Sequence, residues 1–182
     1  MNKIEHIDFT KMDVSDYVES LEHTSFTSRE LYNACQLFKQ MNEDENCTII
    51  LTIAGSTQAA GCLQLYRDLV KLNMVDIIVA TGASIIDMDL YEALGYHHYK
   101  GTTKVDDDEL RQKGIDRIYD TYIHEEDLKK VDQYVCDIAT QYSEGSIMSS
   151  REFLHLLGKH TPNSLVNECY EAGVPIFCPA LN

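Results

Sequence analysis

Basic residues are scarce: 15 Lys and Arg stand against 30 Asp and Glu in 182 residues, a formal charge of -15. So few cations do not suit a nucleic-acid backbone or an anionic membrane, and neither is expected as a partner. A cationic substrate or a basic protein remains compatible, although most of this charge reads as solubilising surface. Long apolar runs are also missing, so no membrane-spanning segment is expected. The polar stretch 1–16 is unlike a secretory signal. None of the six cysteines (35, 47, 62, 136, 169, 178) forms a C-x-x-C pair. Most fall in apolar periodic segments, as expected for reduced, buried thiols of a cytoplasmic protein. Internal repeats and low-complexity linkers are absent. So are a G-x-G-x-x-G fingerprint, a Gly-Lys-Ser/Thr P-loop and a G-x-S-x-G elbow. No cysteine lies in an evident electropositive setting beside a histidine, which removes a thiol nucleophile from the candidates.

What remains is an ordinary globular composition, 44% hydrophobic and 25% charged, long enough to bury a core. Residues 1–26 read as a lead-in and 27–182 as one domain. Thr27 and Glu30 have capping-box spacing, with Phe26 and Leu31 placed as a staple, ahead of a helix over 28–42. Residues 47–54 and 75–80 are β-branched, apolar runs that predict strands buried on both faces. Each is followed by a small-residue turn and an amphipathic helix, ending near 73 and 94. This order predicts βαβ units, a parallel sheet and an α/β class. Farther on, helices are expected from 106, over 125–142, 150–157 and 164–171, with an extended piece at 115–123. A last strand follows Gly173. Ligands of open α/β sheets gather beyond strand ends, so the chain is expected to stop at the rim of a site it does not complete.

The two strand-to-helix turns carry the chemistry. Gly55, Ser56 and Thr57 form the first, and Thr81, Gly82, Ala83 and Ser84 the second. Small residues admit a ligand to the backbone, helix starts offer N–H groups to phosphate, and the hydroxyls add hydrogen bonds. Each is equally readable as a tight turn with an N-cap. Asp87 and Asp89 either face a cationic ligand or favour a first helical turn. His97 and His98, adjacent in an extended loop, point to opposite sides and suggest a structural or surface role rather than a metal. The acidic run 106–109 lacks calcium-loop spacing and reads as a solvated helix start.

Several of these segments together resemble deoxyhypusine synthase: LTIAGSTQAAGC (51–62), NMVDIIVATGAS (73–84), GIDRIYD (114–120), the approach to HEED (124–127) and VPIFCPAL (174–181). The match is colinear over 27–182, and its wording is closest to the prokaryotic deoxyhypusine synthase-like branch. The resemblance implies a Rossmann-like open, mainly parallel sheet flanked by helices, here incomplete at the C-terminus. It also implies a homo-oligomer with NAD and spermidine bound at a dimer interface. Family enzymes oxidise spermidine with NAD and pass its aminobutyl group through an imine on a lysine. The acceptor is a protein lysine or putrescine. By the same resemblance Gly55, Ser56 and Thr57 take one cofactor-contacting turn, and Thr81, Gly82, Ala83 and Ser84 the other. Asp87 or Asp89 stands near the position that holds a polyamine amine.

The family's later cofactor loops and lysine motif have no counterpart in the chain, and Lys104, Lys129, Lys130 and Lys159 match none of it. Three expectations follow. The chain is part of an aminobutyl transferase completed by a complementary deoxyhypusine synthase-like chain. It is a non-catalytic subunit or regulator of a full-length paralogue. Or it is a plain nucleotide-binding domain.

Overall fold

The computed structural model describes residues 3–8, 10, 12–142 and 145–181. The chain divides into two units, Met1–Ile49 and Ile50–Asn182.

In the first unit, helix α1 (Val14–Ser20) is closed at its start by a reciprocal pair, the Asp13 side chain on the Asp16 N–H and the Asp16 side chain on the Asp13 N–H. A short 3-10 turn over Leu21–His23 buries Leu21, and α2 follows over Phe26–Glu43. The predicted cap of α2 does not form. No side chain bonds its first N–H groups, while Phe26 is 85% exposed and Leu31 52% exposed, so the staple is absent too. Phe26, the first residue of the helix, has a φ of 57°, a left-handed conformation at the point where the chain enters α2.

In the second unit, strands β1 (Ile50–Ile53), β2 (Ile77–Ala80) and β6 (Ile176–Phe177) form a parallel sheet in the order β1-β2-β6. Ile50 faces Ile77 across one seam and Ile78 faces Ile176 across the other. β2 is the centre, with Ile78 and Ala80 buried and Ile77 and Val79 only half-buried, so one of the two faces expected to be buried is partly open. β1 departs from expectation. It is an edge strand shorter than the apolar run, with Ile50 54% exposed and only Ile53 of its four residues buried.

Helices α3 (Leu63–Lys71), α7 (Ser150–His160) and α8 (Leu165–Ala172) flank the sheet. Caps explain the last two: Ser149 and Glu152 make a capping box, and Ser164 accepts from the Asn167 N–H before Gly173 ends α8 in the left-handed region. The helices after β1 and β2 do not open as α-helices. Each begins in a π-helical segment, Gln58–Cys62 and Ala83–Leu90. The first is closed by the Cys62 N–H on the Thr57 carbonyl at 3.0 Å and broken by Gly61 at φ 100°; the second runs into α4 (Tyr91–Ala93).

A separate antiparallel sheet, β3-β5-β4, is built from β3 (Tyr99–Lys100), β4 (Ile115–Ile118) and β5 (Thr121–His124). The extended piece expected over 115–123 is therefore a hairpin, turning at Tyr119 and Asp120. It is preceded by α5 (Asp107–Gln112) and followed by α6 (Glu125–Ala139). The acidic run is the start of α5, where the Asp106 side chain accepts from the Asp108 N–H. The molecule is thus mixed α/β, with a three-stranded parallel sheet flanked by helices.

Candidate functional site

The two turns predicted from the sequence meet. β1 and β2 run parallel and in register, so their ends bring Gly55 and the stretch 81–84 side by side. The buried Ser84 hydroxyl joins them: it donates to the Gly55 carbonyl at 3.1 Å and lies 3.0 Å from Thr81 Oγ1. Thr81 Oγ1 also accepts from the Ser84 N–H. Thr81 and Ser84 therefore shape the turns from within.

The turns differ in what they leave open. At Gly55, φ is 69° and a Cβ would meet no atom within 4 Å, so the backbone is bare on that side. Gly55, Ser56 and Thr57 form one wall of a cavity of about 460 Å³, with the hairpin turn Tyr119 and Asp120 on the other. The Thr57 hydroxyl accepts from the Tyr66 hydroxyl at 2.9 Å. At Gly82 the close approach comes from the chain itself. Its N–H donates to the Ala180 carbonyl at 2.8 Å, and a Cβ would collide with the Leu181 carbonyl. Ala83 is the exposed member of this second turn.

The two aspartates part company. Asp89 is fully buried, and its two carboxylate oxygens accept the N–H groups of Leu165 and Val166 at 2.6 and 3.1 Å. It thus anchors the start of α8 from across the core. Burial pushes its pKa up to about 7, against the pull of those two N–H groups and of Arg67. Asp87 is half-buried, and its pKa is raised, first by burial and then by the negative charge of Asp132 on α6. Asp132 went unseen in the sequence, because only packing of α6 against the π-helical segment brings the two acids within reach of each other.

His98 is the second residue whose part was not foreseen. It is turned away from its exposed neighbour His97, and its Nδ1 sits 2.7 Å from the Glu92 carboxylate with the side chain 4% exposed. Among the described residues no three His, Cys, Asp or Glu side chains gather as a metal site. No described cysteine is paired; Cys169 and Cys178 are buried, whereas Cys35 and Cys136 are exposed rather than in the core. Burial raises the Cys169 thiol far above its usual value, which suppresses the thiolate. Lys129 and Lys130 lie on Glu126 and Asp127 at 2.7 Å, and those bonds raise both ammonium pKa values, the reverse of what an amine nucleophile requires.

The sequence model of the deoxyhypusine synthase family matches residues 16–182. The chain belongs to the deoxyhypusine synthase family. Among relatives, the deoxyhypusine synthase-like protein of Coxiella burnetii is 53% identical over 184 residues, covering 97% of this chain and 52% of the relative. That of Caulobacter vibrioides is 46% identical, covering 97% and 50%. The chain thus spans about half the length of the deoxyhypusine synthase-like proteins it matches. Its fold is that of a crystal structure assigned to a deoxyhypusine synthase of Entamoeba histolytica, with a TM-score of 0.67 at 19% identity, covering 97% of this chain and 64% of that one. No helix among the described residues is long and apolar enough to cross a membrane.

Proposed function

We propose that this chain supplies part of the site of an NAD-dependent aminobutyl transfer from spermidine, to a protein lysine or to putrescine, on a Rossmann-like scaffold. Its working form is a homo-oligomer, or an assembly with a complementary deoxyhypusine synthase-like chain, in the cytoplasm. The observation that carries this is the junction of the two turns through Ser84, beside the bare backbone at Gly55.

NAD would take up a hydride, and with it both electrons, in the amine oxidation. The residues present fit it unevenly. Gly55, Ser56 and Thr57 border an open cavity where a phosphate or ribose can approach the main chain. Thr81 and Ser84 fix the relative position of the turns, Ala83 offers a small exposed surface, and Gly82 holds Ala180 and Leu181 instead of a ligand. Asp87 is the carboxylate that holds an ammonium of the polyamine, with Asp132 reinforcing the negative potential there. Asp89 positions α8 and does not contact substrate. The lysine that carries the aminobutyl group comes from polypeptide other than these 182 residues.

A second reading, a non-catalytic subunit or regulator of a full-length relative, is favoured by the closure of the Gly82 turn by Ala180 and Leu181. Spermidine-dependent NADH formation separates the two. It would be measured for the purified chain alone and mixed with the remaining portion of a related synthase. Activity in the mixture alone supports the shared site. A complex that forms but stays silent supports the regulator, and turnover by the chain alone refutes the outside lysine.

A further inference from the structure

Gln58 opens the first π-helical segment, directly after the turn at Gly55, Ser56 and Thr57. Its side chain is buried, at 1% exposure, yet neither Oε1 nor Nε2 has a hydrogen-bond partner among the described residues. A primary amide held in that state works against the conformation that buries it. The backbone around it is lightly tied. Two bonds close the segment, from the Ala60 N–H to the Ser56 carbonyl and from the Cys62 N–H to the Thr57 carbonyl, both at 3.0 Å. One side-chain bond joins it to α3, from the Tyr66 hydroxyl to Thr57 Oγ1. Gly55 (φ 69°) and Gly61 (φ 100°) bracket it in the left-handed region, and a Cβ at either would meet no atom within 4 Å, so there is open space beside both ends. Thr57, Ala59 and Ala60, on either side of Gln58, line the cavity at Gly55.

We propose that residues 56–60 form a two-state strap, pivoting at Gly55 and Gly61, whose balance is set by Gln58. In the closed state, the one described above, the π-helical turn keeps the Gln58 amide inside and unpartnered. In the open state the bonds at Ala60 and Cys62 are released, and the amide swings out to meet water or a ligand. The two states lie close in free energy, because opening breaks few bonds and relieves a buried polar group. The strap is also a wall of the cavity, so an occupant that touches Thr57, Ala59 or Ala60 better in one state shifts the balance toward it. The cavity thereby adjusts to what enters. That NAD is such an occupant rests on the reading above; the strap itself does not.

The test is amide hydrogen exchange of the purified chain, followed by NMR. Ala60 and Cys62 report the strap, and Val70, buried in α3, is the reference. Without ligand, Ala60 and Cys62 are expected to exchange about tenfold or more faster than Val70. Equal rates would mean that the segment opens only with the whole unit, which overturns the proposal. Gln58→Met keeps the length of the side chain and removes the amide. It should slow exchange at Ala60 and Cys62 about tenfold and raise the melting temperature. Unchanged or faster exchange, or a lower melting temperature, would show that the amide is satisfied in the closed state and sink the idea. Gly61→Ala clashes with nothing but disfavours φ 100°, so it should speed exchange at the same two amides, again about tenfold. No change there would remove Gly61 as a pivot and overturn the strap even if Gln58→Met fails to fold. Added NAD should shift the exchange of Ala60 and Cys62. NAD that binds without doing so overturns the coupling, whereas NAD that does not bind refutes the cofactor reading and leaves the ligand-free rates to decide the strap.

Discussion

Asp89 lies in the second π-helical segment but serves a different helix, 76 residues away in sequence, through the N–H groups of Leu165 and Val166. Its pKa in the fold, about 7 against an ordinary 3.8, means that the folded protein binds a proton more tightly than the unfolded chain. Stability from this group is therefore complete at acid pH and is lost as pH rises from about 4 to about 7, at about 1.4 kcal/mol per pH unit. Asp89→Asn should flatten that slope, as read from the difference between denaturant midpoints of the two proteins across this range. Asp87 leads to a second prediction. If Asp87 holds the polyamine as proposed, its raised pKa should make that binding fail on acidification at a higher pH than an ordinary carboxylate would. Asp132→Asn should lower that midpoint, and Asp87→Asn should weaken spermidine binding about tenfold or more at neutral pH, both measurable by calorimetry.

At the scale of elements, the first two βαβ steps were legible because apolar runs, small-residue turns and helical periodicity agree with one another. The hairpin after α5 was not. Its turn has Tyr119 at φ 53°, where Asn-Gly would have announced it. Nor could spacing reveal that the helices after β1 and β2 open in π-helical form, since five-residue and four-residue bonding leave similar apolar patterns over so short a span. At the site, the turns were legible by their small residues, while Asp132 and the Glu92–His98 pair come from tertiary packing. Gly82 has a direct consequence here. Since a Cβ would strike the Leu181 backbone, Gly82→Ala must displace the segment after β6. The expected loss is about 1–3 kcal/mol, visible as a melting temperature lower by several degrees. Gly55→Ala would meet no clash, but at φ 69° its Cβ strains the backbone, so a smaller loss of stability is expected there than at Gly82.

For the molecule as a whole, the charge of -15 sets both solubility and self-repulsion. Raising sodium chloride from about 0.01 to about 0.15 M shortens the screening length from roughly 30 to roughly 8 Å. The melting temperature should rise over that interval, because diffuse repulsion outweighs the few exposed ion pairs such as Lys113–Glu109 and Lys129–Glu125. A fall instead would mean that those pairs dominate. Glu168, held between α3 and α8 by the largely buried Arg67 and by the more exposed Lys71, should be less sensitive to salt than those pairs.

The pairing of β2 with β6 also dictates an order of events during synthesis. Ile78 waits for Ile176, which is 98 residues later (176 minus 78). At roughly 5–20 residues per second, that is about 5–20 s in which the most apolar strand of the sheet has a neighbour on one side only. During that interval the open edge of β2 is a template for any other extended segment in the vicinity. The yield of folded protein should therefore depend on how well the nascent chain is guarded until β6 emerges.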